Sequence, residues 1–130
     1  MIGMERFLPI LETIYIRLRE ILIRNERYIV RWEVSKIKRI GEDLINLAWD
    51  VSPQLIEVEH RILCSSIKEA GLGIWNRASK VDRDNITKED KEYFRSVHEA
   101  LGNLCEKMGT GEYYEALLEV ASKIRDKKRL

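Results

Sequence analysis

Apolar residues recur at three- and four-residue steps from Ile10 to Ile40: Ile10, Leu11, Ile14, Tyr15, Leu18, Ile21, Leu22, Tyr28, Ile29, Trp32 and Ile40. That period predicts one amphipathic helix over about 10–40. No Gly or Pro lies between Pro9 and Gly41. The helix can run on through Gly41 into Leu44, Leu47, Ala48 and Val51, because one glycine costs only ~1 kcal/mol. Asn25 interrupts the apolar seam and marks a place for a bend.

Further along, Ser52-Pro53 reads as an N-cap followed by proline at the first helical position. The helix it opens carries Leu55, Ile56, Val58, Ile62, Leu63 and Ile67 and is expected to end at Gly71 or Gly73. Residues 74–86 are ambiguous, with a short helix around Trp75 as one reading. Thr87 and Asp90, three apart, form a weakened capping box. It starts a helix whose seam is Tyr93, Phe94, Val97, Leu101, Leu104, Cys105 and Met108. A last helix after Gly109 carries Tyr113, Tyr114, Leu117, Leu118, Ala121 and Ile124. No segment alternates like a strand. The predicted fold is all-α, with four to five helices.

Lengths sharpen this picture. A helix over 10–40 is ~46 Å long, and one reaching residue 51 is ~63 Å. A compact domain of 130 residues is roughly 36 Å across. The first helix is therefore expected to project from the rest, giving an N-terminal arm over 1–51 and a helical body over 52–130. Its apolar seam then needs a partner subunit, a bend or a ligand to cover it, and a partner is the favoured reading.

Composition describes one ionised globular domain: 45% hydrophobic and 35% charged residues. Glutamine occurs once, at Gln54, amid abundant Arg, Lys, Glu and Ile, a bias that resembles thermophile proteins. The net charge of +1 hides an asymmetry, since residues 1–41 carry nine Lys and Arg against five Glu, and the remainder is net acidic. No secretory signal or 18-residue apolar run is seen. Two cysteines, Cys64 and Cys105, make no disulfide framework and read as buried thiols of an intracellular protein.

The charge is patterned. Arg17, Arg24, Arg31 and Lys38 are seven apart, and Ile16, Ile23, Val30 and Ile37 precede them. A step of seven drifts only about 20° around a helix. With Arg6 and Arg27 the cations fall within an arc of about 80° on one straight helix. From Arg17 to Lys38 the rise is ~32 Å, close to one duplex turn of ~34 Å. Guanidinium forks suit phosphate oxygens. A track of this kind reads no sequence and weakens steeply with salt. The competing reading is a solvated face paired with nearby Glu. Lys127, Lys128 and Arg129 offer a second phosphate contact, or simply complement a helix C-terminus.

Catalytic and metal chemistry fare poorly. His60 and Cys64 could share a metal, but His98 and Cys105 stand ~10 Å apart along a helix, too far to close a zinc site. No cofactor is implied. No phosphate loop, nucleophile elbow or metalloprotease motif occurs. Arg95 and His98 lie one turn apart, reminiscent of helical nucleases, though His98 fits better as a bundle residue. Trp32, Trp49 and Trp75 read as core or interface before they read as base-stacking groups.

A chain of this length, all-α, with a long basic N-terminal helix on a helical body, resembles the major coat proteins of filamentous archaeal double-stranded DNA viruses. The resemblance implies a non-enzymatic virion subunit, assembled in the host cytoplasm, that dimerises with itself or a paralogous coat protein. N-terminal helices would wrap A-form duplex DNA in a helical filament, in some relatives beneath a lipid envelope. Arg6, Arg17, Arg24, Arg27, Arg31 and Lys38 would be the phosphate contacts. The glutamates of the same helix depart from a purely basic wrapping surface. Two alternatives stand beside it: a small helical subunit of an RNA-guided CRISPR effector complex, and a helical nuclease.

Overall fold

The computed structural model describes residues 4–27, 33–51, 58–81 and 86–108. Four helices fill them: α1 (Met4–Arg27), α2 (Val34–Val51), α3 (Val58–Lys80) and α4 (Lys88–Met108). No strand occurs among the described residues, and the all-α expectation holds. The expected cap at Ser52-Pro53 and the helix over 113–124 lie outside them.

The single long rod is corrected. α1 ends at Arg27, α2 starts at Val34, and the two lie antiparallel, with Arg17 on Asp43 and Arg24 on Glu33. At ~36 Å, α1 is no longer than the body itself. It packs on α2 and α4 and does not project. At its N-terminal end, Phe7 is fully buried four residues before Leu11, and this apolar step carries the helix back past Pro9 to Met4.

Among the described helices α2 and α3 pack most extensively, again antiparallel. The expected end at Gly71 or Gly73 is corrected, since α3 runs through both glycines to Lys80. Both glycines serve packing. A Cβ on Gly71 would lie 2.7 Å from the Gly41 carbonyl oxygen, and one on Gly41 would lie 2.7 Å from that of Gly71. The helices therefore cross backbone to backbone. At Gly73 the missing Cβ leaves room for the Tyr93 hydroxyl of α4.

α4 begins with the capping box read from sequence. The Asp90 amide donates to Thr87 Oγ1 (3.1 Å), and the Thr87 amide donates to Asp90 Oδ2 (3.2 Å). Asp90 also accepts from Arg77 Nη1 of α3 at 2.9 Å, and both side chains are nearly buried. Tyr15 of α1 stacks flat on His98 of α4 (centroids 4.6 Å apart) and runs over Gly102. The result is an up-down-up-down bundle whose one core takes Leu11, Leu18, Leu44, Leu63, Ile67, Phe94 and Leu101 from all four helices. Residues on both sides of position 51 share that core. No described helix is long and apolar enough to cross a membrane.

Candidate nucleic-acid interface

The hairpin divides the cationic stripe between two helices. Arg6, Arg17 and Arg24 remain on one edge of α1, while Lys38 belongs to α2. Arg6 is exposed. Arg17 Nη1 meets Asp43 Oδ2 at 2.9 Å, and Arg24 Nε meets Glu33 Oε1 at 2.5 Å. Lys38 Nζ sits 5.0 Å from the Trp75 ring centroid on α3. The side chain of Arg27 and all of Arg31, Lys127, Lys128 and Arg129 lie outside the described residues. Beside the cations, half-exposed Ile16 and Ile23 face outward on α1.

Arg24 belongs to a clamp that closes the hairpin. Asn25, nearly buried, donates from Nδ2 to Glu33 Oε1 (3.0 Å) and accepts the Glu33 amide at Oδ1 (2.5 Å). The Glu33 carbonyl accepts from the amides of Lys36 and Ile37, opening α2. Lys36 Nζ adds a contact to Glu33 Oε2 at 2.5 Å. Hydrogen bonds from Arg24 and Lys36 draw the Glu33 carboxyl down to about 2 from its ordinary 4.5. A depressed carboxyl stabilises the fold above its unfolded pKa, and that contribution is lost as pH falls through the folded value. Acid should therefore weaken the α1–α2 hairpin between about pH 4.5 and 2. A pH titration of the melting temperature checks this: Glu33→Gln should flatten the fall in that window, and an unaltered fall would remove Glu33 from the clamp.

Cations of a different kind line α2–α3. Two lysine–tryptophan pairs flank the Gly41–Gly71 crossing, one toward each end. Lys38 of α2 lies over Trp75 of α3, and Lys68 of α3 lies over Trp49 of α2 at 5.2 Å. The Trp75 indole also donates to Glu42 Oε1 (3.2 Å). Trp49 is 62% exposed, the most open large apolar side chain among the described residues. Arg61 lies seven residues before Lys68, so both project along one side of α3. No ion pair joins either to an acid among the described residues. Ala48, Trp49, Arg61, Cys64, Ser65 and Lys68 line a cavity of about 230 Å³.

The sequence reading ranked Trp49 as core or interface and passed over Arg61 and Lys68, although two signals were present. On the α2 wheel Trp49 falls within about 40° of Lys38 and Glu42, on the polar side. The seven-residue test that found the α1 stripe also finds Arg61 and Lys68.

The groups considered for catalysis or metal binding are otherwise engaged. Burial, then the nearby Arg19 charge, holds His98 below the ordinary imidazole range in the α1–α4 joint. Burial pushes the Cys64 thiol up to about 11, and burial with the Glu12 charge raises Cys105 to about 12. Both cysteines are free and protonated. Among the described residues no group of three His, Cys, Asp or Glu side chains could hold a metal ion. No family model, curated protein or solved structure matches the chain.

Proposed function

We propose that the protein is a structural subunit that binds a nucleic-acid backbone without sequence choice, and that its contact surface is the α2–α3 face. The observation that carries this reading is the pair Arg61 and Lys68, two aligned cations beside an open indole, with no acid paired to them among the described residues. Phosphate attracts such groups, and an aromatic face between them is the composition of sequence-tolerant nucleic-acid surfaces. The α1 edge supports this role less well. Arg17 and Arg24 already hold carboxylates across the hairpin.

The duplex-wrapping coat subunit implied by the resemblance depends on a projecting arm, and α1 lies back on its own bundle. Backbone binding is retained here, on a different face. A backbone-lining subunit of an RNA-guided complex shares this chemistry. A nuclease centred on His98 has less support, since that ring is half-buried and stacked on Tyr15 in the α1–α4 joint.

Fluorescence anisotropy of a labelled mixed-sequence oligonucleotide tests the reading. Binding is expected regardless of sequence, weakening with salt at a log–log slope of about −2 if Arg61, Lys68 and Lys38 each neutralise one phosphate of a single strand. No binding at low salt would overturn it.

A further inference from the structure

We infer that the cavity between α2 and α3 receives one nucleotide unit of an unpaired strand, with its base on Trp49 and its two flanking phosphates on Arg61 and Lys68. This rests on the reading of the α2–α3 face as the nucleic-acid surface and adds the form of nucleic acid that it takes.

The cavity has the parts such a unit requires. Its wall is the Trp49 indole. Lys68 occupies part of one ring face, and the residue is still 62% exposed, so ring surface is left for a second planar group. Its floor is small and apolar, formed by buried Ala48 and Cys64. Its rim carries Arg61 and Lys68, ~10 Å apart along the axis of α3. Ser65 lies between them, four residues after Arg61 and three before Lys68, on the same side of the helix. Its exposed hydroxyl can donate to a phosphate or sugar oxygen. Among the described residues no carboxylate lines the cavity. At about 230 Å³ it is smaller than the ~300–1,000 Å³ pockets that enclose drug-sized ligands, which suits one ring system and not an extended molecule.

The need for an unpaired strand follows from the geometry of bases. In a duplex each base is stacked on both faces and shows only its edges in the grooves. A ring face reaches an indole only when the base is splayed out, as in single-stranded segments. The Arg and Lys contacts would accept either form, whereas Trp49 accepts only the strand.

The test compares wild type, Trp49→Ala and Trp49→Phe by anisotropy of labelled oligothymidylate at fixed low salt. Stacking is worth ~1–3 kcal/mol per base, so Trp49→Ala should weaken strand binding by about 5- to 150-fold. Its salt slope should stay the same, and Trp49→Phe should recover most of the affinity. Duplex of mixed sequence should bind wild type and Trp49→Ala alike. Thymidine monophosphate should compete only weakly. Trp49 is exposed, so loss of its side chain leaves the core intact, and circular dichroism confirms the fold of each variant.

Strand binding that is salt-dependent but indifferent to Trp49→Ala overturns the inference while leaving the proposed function standing. Absence of any salt-dependent binding by wild type overturns both. Monophosphate competition as tight as the strand would assign the cavity to free nucleotides and overturn the strand assignment.

Discussion

Replacing Asp90 with alanine is expected to lower the melting temperature by about 10–20 °C. Asp90 and Arg77 are 12% and 11% exposed, and the guanidinium also lies 4.4 Å from the centroid of the Tyr93 ring. Removing one member of a buried ion pair costs ~3–5 kcal/mol, because the survivor stays charged in a poorly solvated place. In a domain of this size each kcal/mol moves the midpoint by roughly 3–5 °C. The same substitution removes the carboxylate that accepts from the Thr87 amide and hydroxyl at the start of α4. Arg77→Met should be milder, since it leaves that cap in place. Burial alone would raise the Asp90 carboxyl, and the hydrogen bonds from Thr87 and Arg77 outweigh it and hold it low. Differential scanning calorimetry of the two variants checks the ranking, and equal losses would mean that the cap contributes nothing.

The second large effect is expected at the glycine crossing. In Gly41→Ala the new methyl would sit 2.7 Å from the Gly71 carbonyl oxygen and 2.9 Å from the Trp75 amide nitrogen. Those are backbone atoms and cannot rotate away, so α2 must lift from α3. Overpacking costs ~1–3 kcal/mol or more, against ~1 kcal/mol gained in helix propensity. A net loss of about 2 kcal/mol is expected for alanine, and failure to fold for leucine. Gly102→Ala is the control. The three atoms nearest its methyl would all belong to the ring of partly exposed Tyr15, at 2.8 to 2.9 Å, so a side chain and not backbone gives way, at the expense of its stacking on His98. Its cost should stay below about 1 kcal/mol. Urea unfolding measures both, and a smaller cost at Gly41 than at Gly102 would contradict the backbone crossing.

Much of this fold is legible in the sequence, for reasons that individual residues show. Phe7, Leu11, Ile14 and Leu18 point inward because their spacing follows the helical period. Thr87 and Asp90 announce the start of α4 by chemistry that acts within one turn. Asn25 marks the bend, and the structure uses it to fasten Glu33. What periodicity does not encode is the direction of the chain between two helices. α1 and α2 face one core, so their apolar positions keep nearly the same period that one rod would have. With no Gly or Pro between residues 9 and 41, the hairpin leaves little trace beyond Asn25 and Glu33. The glycine positions mislead for a related reason. Gly71 looks like a helix stop in one dimension and is a helix contact in three.

The candidate site follows the same division. Cations seven apart are visible in sequence, but whether a guanidinium meets a carboxylate or solvent depends on which helix lies beside it. Arg17 finds Asp43, 26 residues away. Arg61 and Lys68, equally regular, meet a tryptophan and an open cavity.

The central claim is that the polyanion surface is the α2–α3 face and not the α1 edge. Salt titration of single-strand affinity in two double variants separates these. Arg61→Ala/Lys68→Ala should reduce the log–log slope from about −2 to about −0.7, two phosphate contacts fewer. Arg17→Gln/Arg24→Gln should keep the slope while lowering thermal stability, because those arginines hold the hairpin closed. A slope that collapses in the α1 variant and survives in the α3 variant would contradict the account.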